Sequence, residues 1–279
     1  MINVAIIGLG QMGGSLGLAL KSKSAGNKYY IIGIARKQET LKTALKIGAV
    51  DKVSLSLQDA KDCDIVVICT PVDTIVPIYK QLSKIVEKDT IITDTGSVKE
   101  EIEKQIKYSL LTTHCSLPFV AVHPMAGKEK SGILSADAEM FKNANVIITG
   151  SFKKSEKNEK LVAKMWKDAG ANIINMPAKK HDELVALTSH LTHCVAFSFN
   201  KIYKDVKKKN PEVDKITAGS FKSMVRVAAS SADMWAPIFA ANNKNIIKHL
   251  DAFIKELNVF KKILKSKGKV KREILNTQK

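Results

Sequence analysis

Apolar residues open the chain almost without interruption: Val4, Ala5, Ile6 and Ile7 run together and stop at Gly8. A short run of this kind, rich in branched residues, reads as a strand covered on both faces. From Leu16 a helix-like apolar pattern resumes through Leu18 and Leu20. The alternation continues downstream. Residues 29–34, a short stretch near Val53, and residues 63–69, 90–94, 119–122, 145–149 and 171–176 read as strands. Residues 38–47, 74–86, 100–108 and 156–168 read as helices between them. Strands alternating with helices predict an α/β fold with a parallel, doubly wound sheet. Past Pro177 no convincing strand remains, only long helical patterns broken at Asn210-Pro211 and at Gly219. The predicted boundary therefore falls at 177, giving a sheet domain over 1–177 and a helical domain over 178–279. Apolar positions such as Leu184, Leu187, Leu191 and Val195 give the helical part a face suited to packing against a second copy.

The junction between first strand and first helix carries a motif. Gly8, Gly10 and Gly13 stand in the spacing G-x-G-x-x-G. The first glycine permits a tight turn, the second lets a pyrophosphate approach the backbone, and the third lets helix and strand pack closely. Unpaired N–H groups at the helix start favour an anion there. Glycines that only pack a helix on a sheet are the bland alternative, but the position after a buried strand points to a Rossmann-type dinucleotide site. Thr70-Pro71, at the end of a later strand, is expected to line it. The residue closing the second strand normally selects the cofactor, an acid binding the ribose hydroxyls and an arginine tolerating a 2′-phosphate. Here Ala35 is followed by Arg36 and Lys37. The acid is missing, which tips the expectation toward NADP, with NAD as the alternative.

Composition excludes little beyond this. The chain of 279 residues is 45% hydrophobic and 26% charged, enough for a large domain or two ordinary ones. A net charge of +18 invites a nucleic-acid reading, yet the lysines are spread and no nucleic-acid signature stands out. A basic protein also draws in anionic small molecules, so a small-molecule substrate is expected and nucleic acid is not. Met1 leads straight into the first strand, leaving no room for a targeting segment, and no apolar run is long enough for a bilayer. Four scattered cysteines suit a reducing cytoplasm.

Candidate chemistry gathers at strand ends. His123 closes a strand and is followed by Pro124 and Gly127, so its imidazole can take a proton from an alcohol as hydride leaves. A turn histidine bonded to backbone is the competing reading. Ser97, in the loop of the preceding strand, can bond that imidazole and fix its tautomer. In the helical part, His190 and His193 lie three apart, a spacing also seen in metal sites, but no third ligand accompanies them and no metal is expected. Arg226, set among packing residues, wants an anion. Trp235 reads as core or as the wall of a pocket for a flat ring.

Together these segments resemble the prephenate/arogenate dehydrogenase family of tyrosine biosynthesis. The resemblance rests on the glycine loop with Gln11-Met12-Gly13-Gly14-Ser15, on Asp94-Thr95-Gly96-Ser97-Val98-Lys99 and on His123-Pro124-Met125-Ala126-Gly127. It extends to Ser189-His190-Leu191-Thr192-His193, where Thr192 replaces a family proline, and to Ala218 through Arg226, Met234-Trp235 and Asn242. It implies a nucleotide-binding domain followed by a helical dimerisation domain, hence a homodimer through the C-terminal helices. The implied reaction is oxidative decarboxylation of a cyclohexadienol by NAD(P)+. It further implies that His123 binds the ring 4-hydroxyl as the base. Ser97 bridges histidine, hydroxyl and nicotinamide, and Arg226 holds a substrate carboxylate with His193 and Glu129 nearby. Neither an added chorismate mutase nor a convincing regulatory domain is expected in the sequence. Rival readings are a 3-hydroxyacid dehydrogenase or imine reductase of the same architecture, and a redox-sensing protein that binds NADP(H) without turnover.

Overall fold

The computed structural model describes residues 1–22, 25–112, 117–127, 130–152, 156–266 and 270–278. Eight strands form one sheet: β1 (Ile2–Ile7), β2 (Tyr29–Ile34), β3 (Lys52–Ser54), β4 (Ile65–Ile68), β5 (Ile91–Asp94), β6 (Phe119–Pro124), β7 (Asn145–Phe152) and β8 (Asn172–Asn175). Their order is β3-β2-β1-β4-β5-β6-β7-β8, so the direction of winding reverses between β1 and β4. Helices α1 (Gln11–Leu20), α2 (Gln38–Lys46), α3 (Val72–Leu82), α4 (Glu100–Thr112) and α5 (Glu156–Asp168) link the strands.

The strand alternation explains why both faces carry helices. In β1, Val4 and Ile6 enter a core with Leu16 and Leu20 of α1, Leu41 of α2 and Trp166 of α5. Ala5 and Ile7 point the other way, into a core with Tyr79 of α3 and Ile102 and Ile106 of α4. Burial of such side chains is worth roughly 1.5–3 kcal/mol each, and the period of two divides it between both layers.

The last two strands depart from the expected parallel arrangement and run against the other six, since β8 pairs parallel with β7. β7 runs antiparallel to β6. A parallel return needs a crossover of a dozen or more residues, usually helical, and the segment joining β6 to β7 has only a 3-10 turn at Ile133–Ser135 among its described residues. That segment instead folds back over α1, where Asp137 N donates to Ser15 Oγ at 2.9 Å and Gln11 Nε2 donates to the Lys130 carbonyl at 2.7 Å. Its return brings a β-bulge between Ala121 and Val122, immediately before His123. Bulges re-aim side chains.

After β8 the described residues are helical: α6 (Ala178–Val185), α7 (Thr192–Lys209), α8 (Gly219–Val227), α9 (Ala232–Ala241), α10 (Asn243–Leu264) and α11 (Val270–Thr277). A π-helical stretch, Ala186–Leu191, joins α6 to α7. Pro177 caps α6, which docks against α4, while α9 docks against α3. A small apolar cluster seals that junction, with Val98 from the loop after β5 packed among Trp235, Ile238 and Phe239.

A buried ion pair fixes the sheet where the site begins. The β5–β6 ladder ends at Thr93 and Val120. Beyond it, Asp94 accepts from Val122 N at 3.1 Å and Lys99 Nζ donates to the Val122 carbonyl at 2.7 Å. Asp94 and Lys99 also pair with each other, both with fully buried side chains. The pair thus satisfies the backbone groups that the parting strands leave bare. Replacing one member strands the other charge, so Lys99→Met should cost about 3–5 kcal/mol, read as a drop in unfolding midpoint in urea. A midpoint unchanged from the parent would show that the pair is not structural.

Candidate active site

The carboxyl ends of β1, β4, β5 and β6 share one edge of the sheet, where ligands bind in open α/β folds. Gly8 follows β1 with φ +95°, and a Cβ there would meet the Cys69 carbonyl oxygen at 2.8 Å. A Cβ on Gly13 would lie 2.2 Å from the Gly8 carbonyl oxygen, so α1 approaches β1 as closely as the backbone permits. Gly10 is different: no atom lies within 4 Å of its Cβ position. No side chain caps the start of α1. A tight turn, a close-packed helix and open space at the middle glycine fit a dinucleotide pyrophosphate. Thr70 and Pro71 follow β4 beside this turn, and Thr70 Oγ1 accepts from Thr74 Oγ1 at 2.7 Å. Arg36 is exposed just past the end of β2.

His123 stands on β6, its side chain largely buried. Its Nδ1 lies 2.7 Å from His181 Nε2, with the rings edge to face at 5.0 Å between centroids. His181 Nδ1 lies 2.7 Å from Asp182 Oδ1. Asp182 also accepts from the backbone N–H groups of Lys99 and Glu100, each at 2.9 Å, where α4 begins. Burial, with added repulsion from the Lys99 ammonium, holds the His123 imidazole well below its ordinary value of 6.5. His123 is therefore neutral at pH 7. A neutral imidazole on the same edge of the sheet as the glycine loop can accept a proton.

The remaining candidates are distributed around this buried chain. Ser97 follows β5 and is half-buried. Among the described residues no hydrogen bond joins it to His123, and the tautomer-fixing contact expected of it is made instead by His181 at Nδ1. A residue from the other half of the chain fills the place that sequence proximity suggested for Ser97. His193, on α7, stacks on Trp235 at 3.7 Å and 25°. Its Nδ1 must donate to the Ser189 carbonyl, 2.9 Å away, which leaves Nε2 bare. Burial lowers its pKa. His190 does not share that surface. It is buried, with Nδ1 3.1 Å from Asn242 Nδ2, and Asn242 Nδ2 also donates to the Asp182 carbonyl at 2.9 Å. Burial pushes His190 down to about 4. Arg226 is exposed in the last turn of α8, which packs on α7, so it is not a member of the buried chain. Glu129 lies outside the described residues. A cleft of about 780 Å³ includes Asp182 and Asn242 in its lining but neither His123 nor the glycine loop.

Sequence reasoning missed His181 and Asp182, and singled out Asp94, Lys99 and Asn242 only as parts of motifs. The signal for the first two was faint: a His-Asp pair inside the charged segment Lys179-Lys180-His181-Asp182-Glu183.

Comparison with known proteins finds two family models along the chain. Residues 16–175 match the family model for the prephenate dehydrogenase nucleotide-binding domain, and residues 177–275 match that for the prephenate dehydrogenase dimerization domain. A prephenate dehydrogenase of Bacillus subtilis is 31% identical over 257 residues, covering 91% of this chain and 68% of the relative. A cyclohexadienyl dehydrogenase of Zymomonas mobilis is 33% identical over 260 residues, covering 91% of this chain and 86% of the relative. A crystal structure of prephenate dehydrogenase from A. aeolicus, in complex with hydroxyphenyl propionate and NAD+, superposes with a TM-score of 0.87 at 32% identity. That match covers 100% of this chain and 96% of the other.

The glycine loop and the buried imidazoles each set a measurement. Gly10→Ala should fold with the parent's melting temperature and bind the dinucleotide about tenfold or more weakly, whereas Gly13→Ala should lose stability as well. Equal stability in both variants would remove the close-packing argument. For the imidazoles, an unfolded chain takes up a proton at His190 as pH falls below 6.5, while the folded chain resists until about 4. Unfolding free energy should therefore decline as pH drops through that window, and His190→Gln should flatten the decline. Stability that rises on acidification would contradict the assignment.

Proposed function

This chain belongs to the prephenate dehydrogenase family, and we propose that it converts prephenate to 4-hydroxyphenylpyruvate by oxidative decarboxylation. The observation that carries the reading is the buried, neutral His123, gripped through one ring nitrogen at the sheet edge that also holds the glycine loop. The nicotinamide, when bound, supplies the hydride acceptor for ring C4. His123 takes the 4-hydroxyl proton through Nε2. Ser97, at the adjoining strand end, orients that hydroxyl. Arg226 holds a substrate carboxylate, with His193 and Glu129 nearby in the pocket, and Trp235 with His193 forms a flat wall for the ring. Aromatisation drives the step, so the protein needs orientation, one base and cationic clamps.

Gly8, Gly10 and Gly13 seat the pyrophosphate, with Thr70 and Pro71 alongside. Arg36, exposed and with no acid at the end of β2, favours the 2′-phosphate of NADP over the bare ribose of NAD. We place the domain division at 177. In support, β8 ends at Asn175 and α6 begins at Ala178. A homodimer through the C-terminal helices is supported by apolar side chains that α10 leaves exposed, among them Ile254, Leu257 and Leu264. Among the described residues no helix is long and apolar enough to cross a membrane. The thiols of Cys63, Cys69 and Cys194 are free, as a reducing cytoplasm would keep them.

Initial rates with prephenate and arogenate, each with NAD+ and NADP+, test the reading through the absorbance of the reduced nicotinamide. Prephenate with NADP+ should be the fastest pair, and Arg36→Asp should raise KM for NADP+ by about 10- to 100-fold. Preference for arogenate would reassign the substrate, and preference for NAD+ would remove the role of Arg36. His123→Asn should lower kcat by about 100- to 10,000-fold with cofactor affinity retained. Tight cofactor binding without turnover of either substrate would favour a sensor.

A further inference from the structure

His181 contributes no atom to the sheet edge, yet both of its ring nitrogens are committed. Nε2 meets His123 and Nδ1 meets Asp182, each at 2.7 Å, and the ring is fully buried. The direction of the protons is set by Asp182. Backbone N–H groups approach both carboxylate oxygens, Lys99 N at 2.9 Å from Oδ1 and Glu100 N at 2.9 Å from Oδ2. With donors on both oxygens, Asp182 can only accept from His181. With a single proton on the His181 ring, that proton sits on Nδ1 and Nε2 offers a lone pair. His123 must donate to it from Nδ1, and its own Nε2 is left bare.

Charge balance agrees with neutral rings. The start of α4 supplies two N–H groups and its dipole to the Asp182 carboxylate. Lys99 neutralises Asp94 next to it.

We propose that Asp182 and His181 are positioning residues which lock His123 in the tautomer with a bare Nε2, and which hold the proton that His123 takes until the product needs it. This rests on the reading of His123 as the base. As the C4–H pair leaves as hydride for the oxidised nicotinamide, the 4-hydroxyl proton passes to His123 Nε2. The bond from C1 to its carboxylate breaks, carbon dioxide leaves, and the electron pair moves through the ring to O4. The phenolate so formed takes the proton back from Nε2. No proton is released overall, so the site needs a store and not a channel to solvent. The relay is such a store: the His123 imidazolium donates from Nδ1 to a fixed acceptor that is already oriented by Asp182.

The test is nitrogen-15 NMR of the histidine side chains, with the His123 signals assigned by comparison with His123→Asn, together with kinetics of His181→Phe, which keeps a ring and removes both nitrogens. In the parent chain His123 should carry its proton on Nδ1. In His181→Phe that preference should vanish, kcat should fall about 100-fold, and the dinucleotide Kd should stay within about threefold. A His123 proton on Nε2 in the parent would overturn the relay, as would a parental kcat in His181→Phe. Should that variant fail to fold, the parent spectrum alone decides. Absence of turnover by the parent chain would defeat the functional reading, and the tautomer measurement would still decide for or against the relay.

Discussion

The Asp182 carboxylate joins the two halves of the chain at the point where chemistry is expected. It receives the first N–H groups of α4 from the sheet half and orients His181 from its own helix, α6. A carboxylate at a helix N-terminus is stabilised by the dipole and the unpaired donors there. The same contact docks α6 on α4. The Val98 cluster and the Asn242 bridge to the Asp182 carbonyl reinforce the docking, but neither sets a ring orientation at His123. Removing the carboxylate would therefore disturb the domain junction and the base together.

Sheet and helical halves were legible because their signals are local. Apolar runs, the glycine spacing and the loss of strand pattern after Pro177 all lie within short windows. The glycine loop is legible for the same reason, since turn, approach and packing are properties of adjacent residues. The β6–β7 reversal was not, because it depends on what the segment between the strands lacks. The relay was hidden for a stronger reason. His123 and His181 are 58 positions apart, and Lys99 and Asp182 are 83 apart. The segment around His181 has the composition of a solvated helix start, and only packing against α4 turns His181 and Asp182 inward. Ser97 illustrates the converse: it is near His123 in topology, but the contact at His123 Nδ1 comes from His181 instead.

The π-helical stretch between α6 and α7 has a geometric consequence. At roughly 100° per residue, His181 and His190 would fall on opposite faces of an uninterrupted α-helix. The wider turns of Ala186–Leu191 absorb an extra residue and rotate the residues downstream of them. The His190 ring then meets Asn242, which binds the Asp182 carbonyl and His190 through one nitrogen. The same shift delivers His193 to Trp235. The irregularity thus lets one continuous helical segment serve the relay, the domain junction and the stack of His193 on Trp235.

Burial of His123 creates a conflict that the relay resolves. Desolvation keeps the ring neutral, which a proton acceptor requires at pH 7, but it also weakens the ring's hold on a proton. An acceptor fixed at Nδ1 strengthens that hold only as charge develops on His123. Such an interaction grows between ground state and transition state, and only interactions of that kind accelerate a step. The same economy suits a proton that is borrowed and returned. Too weak a base would not take it from the alcohol, and too strong a base would not give it to the phenolate. A neutral imidazole with one committed nitrogen, in a largely buried ring, suits both demands.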